Sequence, residues 1–302
     1  MDAIEEKRVY GDREGALEVY VASAIGVVRV RVAGDTVGEF GLCDRTPARD
    51  IAATGETVAI ATDEDVQVLG LERGDREARA AEADANESDE TFVGTGFGPA
   101  VAVGSHGSDL IAASPDGDIA RLPAKADTDS EIREWESLEH NGVATVRAID
   151  GNLVGTDSGI YRVHEGELDH AGLSDVRDVS AAGVPLAATA DGLYKLGNGW
   201  MEALEGTFET VAADPRTEPG RLTRAHAVSG DTIYAYDADA ETWTEYDRSR
   251  RSIVDIGYGE TVYAVTERGT FLSATPDDSS GPWRSQTIGV GDVTGLAVPR
   301  DE

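Results

Sequence analysis

One phrase recurs along the chain and restricts the folds open to it. A short apolar strand closes on Gly, a second strand is rich in Val, Ala and Thr, an acidic or glycine turn follows, and a third strand alternates. The phrase reads RDIAATG-ETVAIATDED-VQVLGL at 49–71 and AVAVGSHG-SDLIAASPDG-DIARLP at 100–123. It returns at 146–163, 176–196, 224–246 and 253–274. Residues 18–32 carry a second and third strand with no first strand before them, while VTGLAVP at 293–299 matches the missing first strand. The turns near Gly26, Asp65, Gly117, Gly159, Gly192, Asp239 and Gly269 lie about 30–50 residues apart, the length of a four-stranded propeller blade. A ring leaves no terminal repeat with an open face. The expectation is therefore an all-β chain, 1–302 forming a single seven-bladed β-propeller, with six or eight blades as alternatives. Its ring is closed by the C-terminal strand joining the N-terminal blade.

The tryptophans fit this register. Trp135, Trp200, Trp243 and Trp283 each fall just after a third strand, at the start of a fourth, which marks them as packing elements. Segment 72–91 (ERGDREARAAEADANESDET) breaks the period; being acidic and poor in aromatics, it reads as a flexible insertion, with a partner-binding tail as the sharper reading. Residues 1–17 either add an outer strand or lie on the surface.

Within this frame GTFLSATPDDSSGPW (269–283) resembles a stretched Asp-box, the S-x-D-x-G-x-x-W hairpin of BNR-type propellers, through Ser273, Asp277, Gly281 and Trp283. GLYKLGNGW (192–200) and YDADAETW (236–243) resemble degenerate copies. With the acidity described next, the whole chain is similar to a haloarchaeal β-propeller family. That resemblance implies the fold and no activity, and gives the matched residues a structural role.

Charge sets the environment. The chain carries 58 acidic and 26 basic residues, a net of −32, and Lys7, Lys125 and Lys195 are its only lysines. At low ionic strength such a charge opposes compaction. In molar salt the Debye length falls to about 3 Å and the repulsion fades. The acids are spread along the chain rather than blocked, so the composition reads as adaptation to a salt-rich cytoplasm rather than as a docking face for one basic partner. No basic face is available for phosphate backbones, which argues against nucleic acid. No run of 18 apolar residues is present for a membrane span, and the N-terminus lacks the pattern of a signal peptide. Cys43 is the only cysteine, which excludes an intrachain disulfide, and is expected to be buried.

Motifs for chemistry are sparse. Gly94, Gly96 and Gly98 lead through Pro99 into a strand rather than a helix, so they read as a turn and not a dinucleotide loop. His164 and His170 bracket a hairpin turn rather than a helical ligand pair. Neither a metal nor a cofactor is expected. Aligning the first strands on their closing Gly places Arg49, Val101, Arg147, Arg177, Arg224, Val254 and Thr294 at one opening position. The arginines Arg49, Arg147, Arg177 and Arg224 are the candidate ligand-binding set, since strands at a propeller axis bring such positions to one channel mouth. The bland alternative is that each pairs with a nearby acid. The leading reading is a non-enzymatic binding or scaffold propeller with a small anionic ligand or a protein partner at a channel mouth. The alternative is a glycoside-active enzyme like sialidase-type Asp-box propellers, with Tyr258 as a possible nucleophile by position. If screening is what permits folding, compactness falls as KCl drops from molar to about 0.1 M, where the Debye length reaches about 10 Å. Circular dichroism constant over that range would overturn the reading.

Overall fold

The structure, a computed structural model, describes residues 16–71, 91–124, 134–140, 143, 145–249, 252–274 and 283–300. Every described element is a strand, and the strands form seven four-stranded antiparallel sheets. The first sheet contains β1 (Leu17–Ser23), β2 (Gly26–Ala33) and β3 (Thr36–Asp44). The second runs β4 (Asp50–Ala53), β5 (Thr57–Ala61), β6 (Val66–Gly70) and β7 (Val93–Gly94). The third runs β8 (Ala102–His106), β9 (Asp109–Ala113), β10 (Ile119–Leu122) and β11 (Glu136–Ser137). The fourth runs β12 (Val146–Asp150), β13 (Leu153–Thr156), β14 (Gly159–His164) and β15 (Glu167–Gly172). The fifth runs β16 (Val176–Ser180), β17 (Leu186–Thr189), β18 (Gly192–Leu196) and β19 (Trp200–Glu205). The sixth runs β20 (Thr210–Ala213), β21 (Ala225–Ser229), β22 (Thr232–Asp237) and β23 (Thr242–Arg248). The seventh runs β24 (Ile253–Tyr258), β25 (Val262–Thr266), β26 (Thr270–Ala274) and β27 (Arg284–Thr287), and β28 (Val293–Ala297) returns to the first sheet.

This is a seven-bladed propeller. The inner strands β4, β8, β12, β16, β20, β24 and β28 neighbour one another in a closed circle. β28 pairs with β1, matching Tyr20 to Ala297 and Ser23 to Val293, so the two ends of the chain share one blade.

Alternation explains why these strands suit blades. In β2, Val28, Val30 and Val32 face the seventh blade and pack with Tyr263, Phe271, Ile288 and Val290. Val27 points the other way, into a cluster with Ile51, Val58 and Ile60 of the second blade. Both faces of a blade are thus apolar near the axis, and the core consists of seams between sheets rather than of one central mass. Each fully buried Val, Leu, Ile or Phe in a seam is worth about 1.5–3 kcal/mol.

Trp135, Trp200, Trp243 and Trp283 stand at or just before the fourth strands β11, β19, β23 and β27. Of the residues that resemble an Asp-box, Asp277 and Gly281 lie outside the described residues. Ser273 donates to the Asp35 carbonyl at 2.7 Å, and Trp283 packs edge-on to His226 and Tyr246. Residues 72–90, and with them nearly all of the expected insertion, also lie outside the described residues, between β6 and β7. So do 1–15, while Leu17 opens β1. Cys43 is half-buried on the outer strand β3, not buried, and its thiol meets the Val27 carbonyl at 3.3 Å. Gly96 and Gly98 donate their N–H groups to the Asp65 carboxylate, which makes that stretch a turn.

One register differs from expectation. RAHAVSG is the second strand of the sixth blade, β21, and its first strand is the preceding TVAA of β20, paired Ala213 to Ala225. The turn equivalent to the others is accordingly the β21–β22 turn at Gly230–Asp231, and Asp239 sits one hairpin later. The closing strand gives a direct test: deleting residues 293–302 removes the inner strand of the first blade and is expected to abolish cooperative thermal unfolding. A truncated chain melting at the wild-type temperature would contradict this closure.

Candidate functional site

The inner strands surround a polar central channel of about 280 Å³. Its wall is built around carboxylates. Asp50, Asp178 and Asp255 occupy the same register on β4, β16 and β24, and each carboxylate bridges two blades. One oxygen accepts the N–H of the next residue: Ile51 at 2.8 Å, Val179 at 2.8 Å and Ile256 at 2.7 Å. The other accepts an N–H from the following blade: Val103 at 2.9 Å, Val211 at 2.8 Å and Leu296 at 2.8 Å. Gly295 lies beside two of them: a Cβ there would stand 3.5 Å from Asp255 Oδ2 and 3.6 Å from Asp50 Oδ1. Asp150 makes a related link to Ala181 N at 2.7 Å. The remaining seams use other stitches: Gly151 N to Ser105 O at 3.1 Å, Thr210 Oγ1 to Val254 O at 3.1 Å, and Thr294 Oγ1 to Ala48 O at 2.9 Å.

Burial dominates the acidity of these groups. It raises the Asp50 carboxyl to about 7 and that of Asp255 to about 6, against the lowering effect of the N–H donors. Asp178 is raised well above the ordinary value, first by burial and then by the Asp255 charge. Asp150 is raised too, although the Arg300 guanidinium works against the shift.

The matching registers of successive inner strands show that they all run in one sense. The channel therefore has one mouth at their N-terminal ends and one at their C-terminal ends. Arg49, Arg147 and Arg177 stand at the first mouth, where Arg147 and Arg177 line the channel. Each faces an acid: Arg49 pairs with Asp63, Arg147 with Asp175, and Arg177 with Glu209 at 3.4 Å. The Arg147 hydrogen bond holds Asp175 below the ordinary carboxylate range. The residue equivalent to these arginines in the sixth blade is Glu209. Arg224 does not join them, because it precedes β21, opposite the end of β20. Asp214 N donates to the Arg224 carbonyl there, at the second mouth. The shift of register in the sixth blade moves it the full length of the channel.

The second mouth has different chemistry. The buried Asp214 is chelated by Arg216, through Nε at 3.0 Å and Nη2 at 2.8 Å, and meets Arg224 Nη2 at 2.9 Å. These donors outweigh burial and hold Asp214 below the ordinary carboxylate range. The Arg224 guanidinium lies over the Tyr258 ring, 5.0 Å from its centroid. Tyr258 is buried and donates to the Ala212 carbonyl at 3.1 Å, so the 2.7 Å contact with His226 is a hydrogen bond from Nδ1–H to the phenol oxygen. Burial, and then the Arg224 charge, push His226 down to about 3, so it is neutral. Burial drives the Tyr258 phenol well above 10. Arg300, three residues past β28, is exposed at this mouth, lines the channel, and is within electrostatic reach of Asp150 and Asp214. The acidity gave no sequence cue to Arg216 or Arg300 as members of this group. Among the described residues no cluster of His, Cys, Asp and Glu is arranged to hold a metal ion.

A family model described as an HVO_0234-like β-propeller matches residues 3–299. No curated protein is similar enough in sequence to be matched. Among solved structures, the WD40 β-propeller domain of Doa1 superposes with a TM-score of 0.59 at 14% identity, over 91% of this chain and 89% of that one. Apo AztD from Citrobacter koseri superposes with a TM-score of 0.55 at 13% identity, over 92% of this chain and 84% of that one. At such identities the likeness is one of fold.

The channel carboxylates set a pH dependence. Their folded-state pKa values lie above the unfolded value, so the native state holds extra protons and the stability they add is lost as pH rises from about 4 to about 7. The melting temperature is expected to fall between pH about 5 and about 7.5, and Asp50→Asn to flatten that slope. A wild-type melting temperature rising over that interval would contradict the assignment.

Proposed function

We propose, from the premise that this chain belongs to the HVO_0234-like β-propeller family, that it is a non-enzymatic binding propeller of a salt-adapted cytoplasm. In this reading its ligand is a small oxyanion, a carboxylate or phosphate, held at the second channel mouth by Arg224 and Arg300. The observation that carries the reading is the local charge. At the first mouth Arg49, Arg147 and Arg177 are matched one to one by acids. At the second, among the described residues, Arg216 and Arg224 meet the carboxylate of Asp214, Arg300 lies within its electrostatic reach, and Glu260 acts on Arg216 through its charge alone. Asp150, the other acid in reach of Arg300, is shifted towards its neutral form. This is a positive spot inside a chain of net charge −32. Guanidinium forks suit bidentate oxyanions, and several donors on one anion hold it in salt better than a single exposed pair does.

The glycoside-active alternative lacks support at Tyr258. A nucleophilic tyrosine needs a base on its hydroxyl, but this phenol gives its proton to a backbone carbonyl and accepts from a neutral histidine. Its raised pKa also opposes ionisation.

Phosphate or citrate titrated at constant ionic strength, with thermal shift as readout, tests the proposal. The wild type is expected to be stabilised in a saturable way. Arg300→Gln, at an exposed position, is expected to lose that response without a change in the unliganded melting temperature, and the pair Arg147→Gln and Arg177→Gln to retain it. If the response survives Arg300→Gln and disappears with the first-mouth pair, the ligand sits among Arg147 and Arg177 instead; no saturable response in the wild type rejects the anion site.

A further inference from the structure

A second cleft, about 180 Å³, lies in the outer part of the ring where the seventh blade meets the first. Asp35, Thr36 and Val37 line it from the first blade, and Ser273, Arg284 and Gln286 from the seventh. Local structure fixes both walls. β2 turns into β3 through Gly34, whose φ of 60° suits glycine, and Asp35. The seventh blade pins this tip. The Gly34 carbonyl accepts from the Tyr263 hydroxyl at 3.1 Å and from Thr261 Oγ1 at 3.4 Å, and the Asp35 carbonyl accepts the Ser273 hydroxyl. Across β26 and β27, Phe271 stands opposite Gln286 and Ser273 opposite Arg284. Phe271 packs against the first blade, so Ser273, Arg284 and Gln286 face that blade too.

An ion pair stands in the cleft: Arg284 Nε lies 2.7 Å from Asp35 Oδ2. Thr36 Oγ1 donates to the other carboxylate oxygen at 3.2 Å. The pair uses only Nε of the guanidinium, and among the described residues neither Nη group has a hydrogen-bond partner. Gln286 donates through Nε2 to the Thr287 carbonyl, which leaves its Oε1 unused among the described residues. The Asp35 carboxylate accepts two bonds here, and a carboxylate has about four lone-pair sites. Two opposite charges are thus fixed side by side, each with bonding capacity left over.

We propose that this cleft binds a small zwitterion, an α-amino acid with a short polar side chain. The ligand carboxylate takes the Nη groups of Arg284, and its ammonium donates to Asp35 and to Gln286 Oε1. Charges then alternate in sign around the group of four. An α-amino acid carries its two charges on neighbouring carbons, which suits a pair of side chains that are themselves in contact. The same pair disfavours singly charged ligands, because a lone amine meets Arg284 and a lone carboxylate meets Asp35. A zwitterion has no net charge, so a protein of net charge −32 neither gathers nor expels it. A neutral diol has hydroxyls for the same partners but brings no charge to either. Contacts at hydrogen-bond distance are as short as the Debye length of about 3 Å in molar salt, so screening leaves them in force. Val37 is the one apolar residue of the lining, which favours a hydroxylated side chain on the ligand.

Calorimetric titration of the full chain with L-serine in about 2 M KCl tests this. Saturable binding with a Kd of about 1 mM or tighter is expected. Two analogues each remove one charge: ethanolamine lacks the carboxylate and β-hydroxypropionate lacks the ammonium. Each is expected to bind at least about tenfold more weakly than serine. Arg284→Gln, at an exposed position, is expected to weaken serine by a similar factor, whereas serine binding should survive Arg300→Gln. The analogue series uses the wild type, so it decides the matter even if Arg284→Gln does not fold. No saturable binding of serine up to about 10 mM overturns the proposal, and so does either analogue binding as tightly as serine. Loss of serine binding in Arg300→Gln with retention in Arg284→Gln would place the carboxylate at the channel mouth and overturn it as well. Displacement of serine by an equal concentration of glycerol would make the cleft a hydroxyl site and overturn the zwitterion.

Discussion

Everything in this molecule depends on how seven inner strands meet around an axis without forming a sheet with one another. Neighbouring inner strands run in the same sense but belong to different blades, so their N–H groups at the axis have no ladder partner. An unpaired buried amide costs about 1–3 kcal/mol. Asp50, Asp178 and Asp255 answer this by accepting one N–H from their own blade and one from the next. The carboxylate is short, planar and doubly accepting, which suits a position where two backbones pass close by. Gly295, close to both Asp255 and Asp50, leaves room for those two carboxylates. The apolar seams supply most of the stabilisation, and these polar stitches set the relative height of the blades.

The repeat phrase made the fold legible because blade geometry imposes a period on hydrophobicity and turns. The closing strand was legible because a ring needs one, and VTGLAVP was otherwise surplus. The tryptophans could be placed because a large aromatic at the start of a fourth strand is visible without an alignment. The misreading in the sixth blade has a physical origin. β20 is followed by Asp214–Pro215 rather than by a glycine, and an eleven-residue connection separates it from β21. β21 ends on Gly230, as first strands do elsewhere, and so imitated one. The error carried Arg224 to the wrong mouth. The axial aspartates were visible in RDI, RDV and VDI, but among so many acids a carboxylate that bridges backbones cannot be told from one that meets solvent. Arg300 was silent for the opposite reason, since nothing local shows that the end of β28 opens onto the channel.

The two mouths illustrate how one composition yields different electrostatics. A surface with twice as many acids as bases neutralises an exposed arginine wherever the chain lets an acid approach, and the first mouth is the product. At the second mouth the acids in reach are recessed and engaged, Asp214 by Arg216 and Asp150 by the Ala181 amide. Geometry rather than charge count decides which guanidinium keeps donors to offer.

The shared first blade has a mechanical side. β1 leaves towards the N-terminus at the same end of the strand pair from which β28 leaves towards the C-terminus, since Tyr20 stands opposite Ala297. A pull applied to the two ends of the chain would load the hydrogen bonds between these strands one after another, as a zipper opens, instead of all together in shear. The closed ring therefore has a soft direction. Tethered by its ends, it would yield at this blade while the other six blades still held their shape.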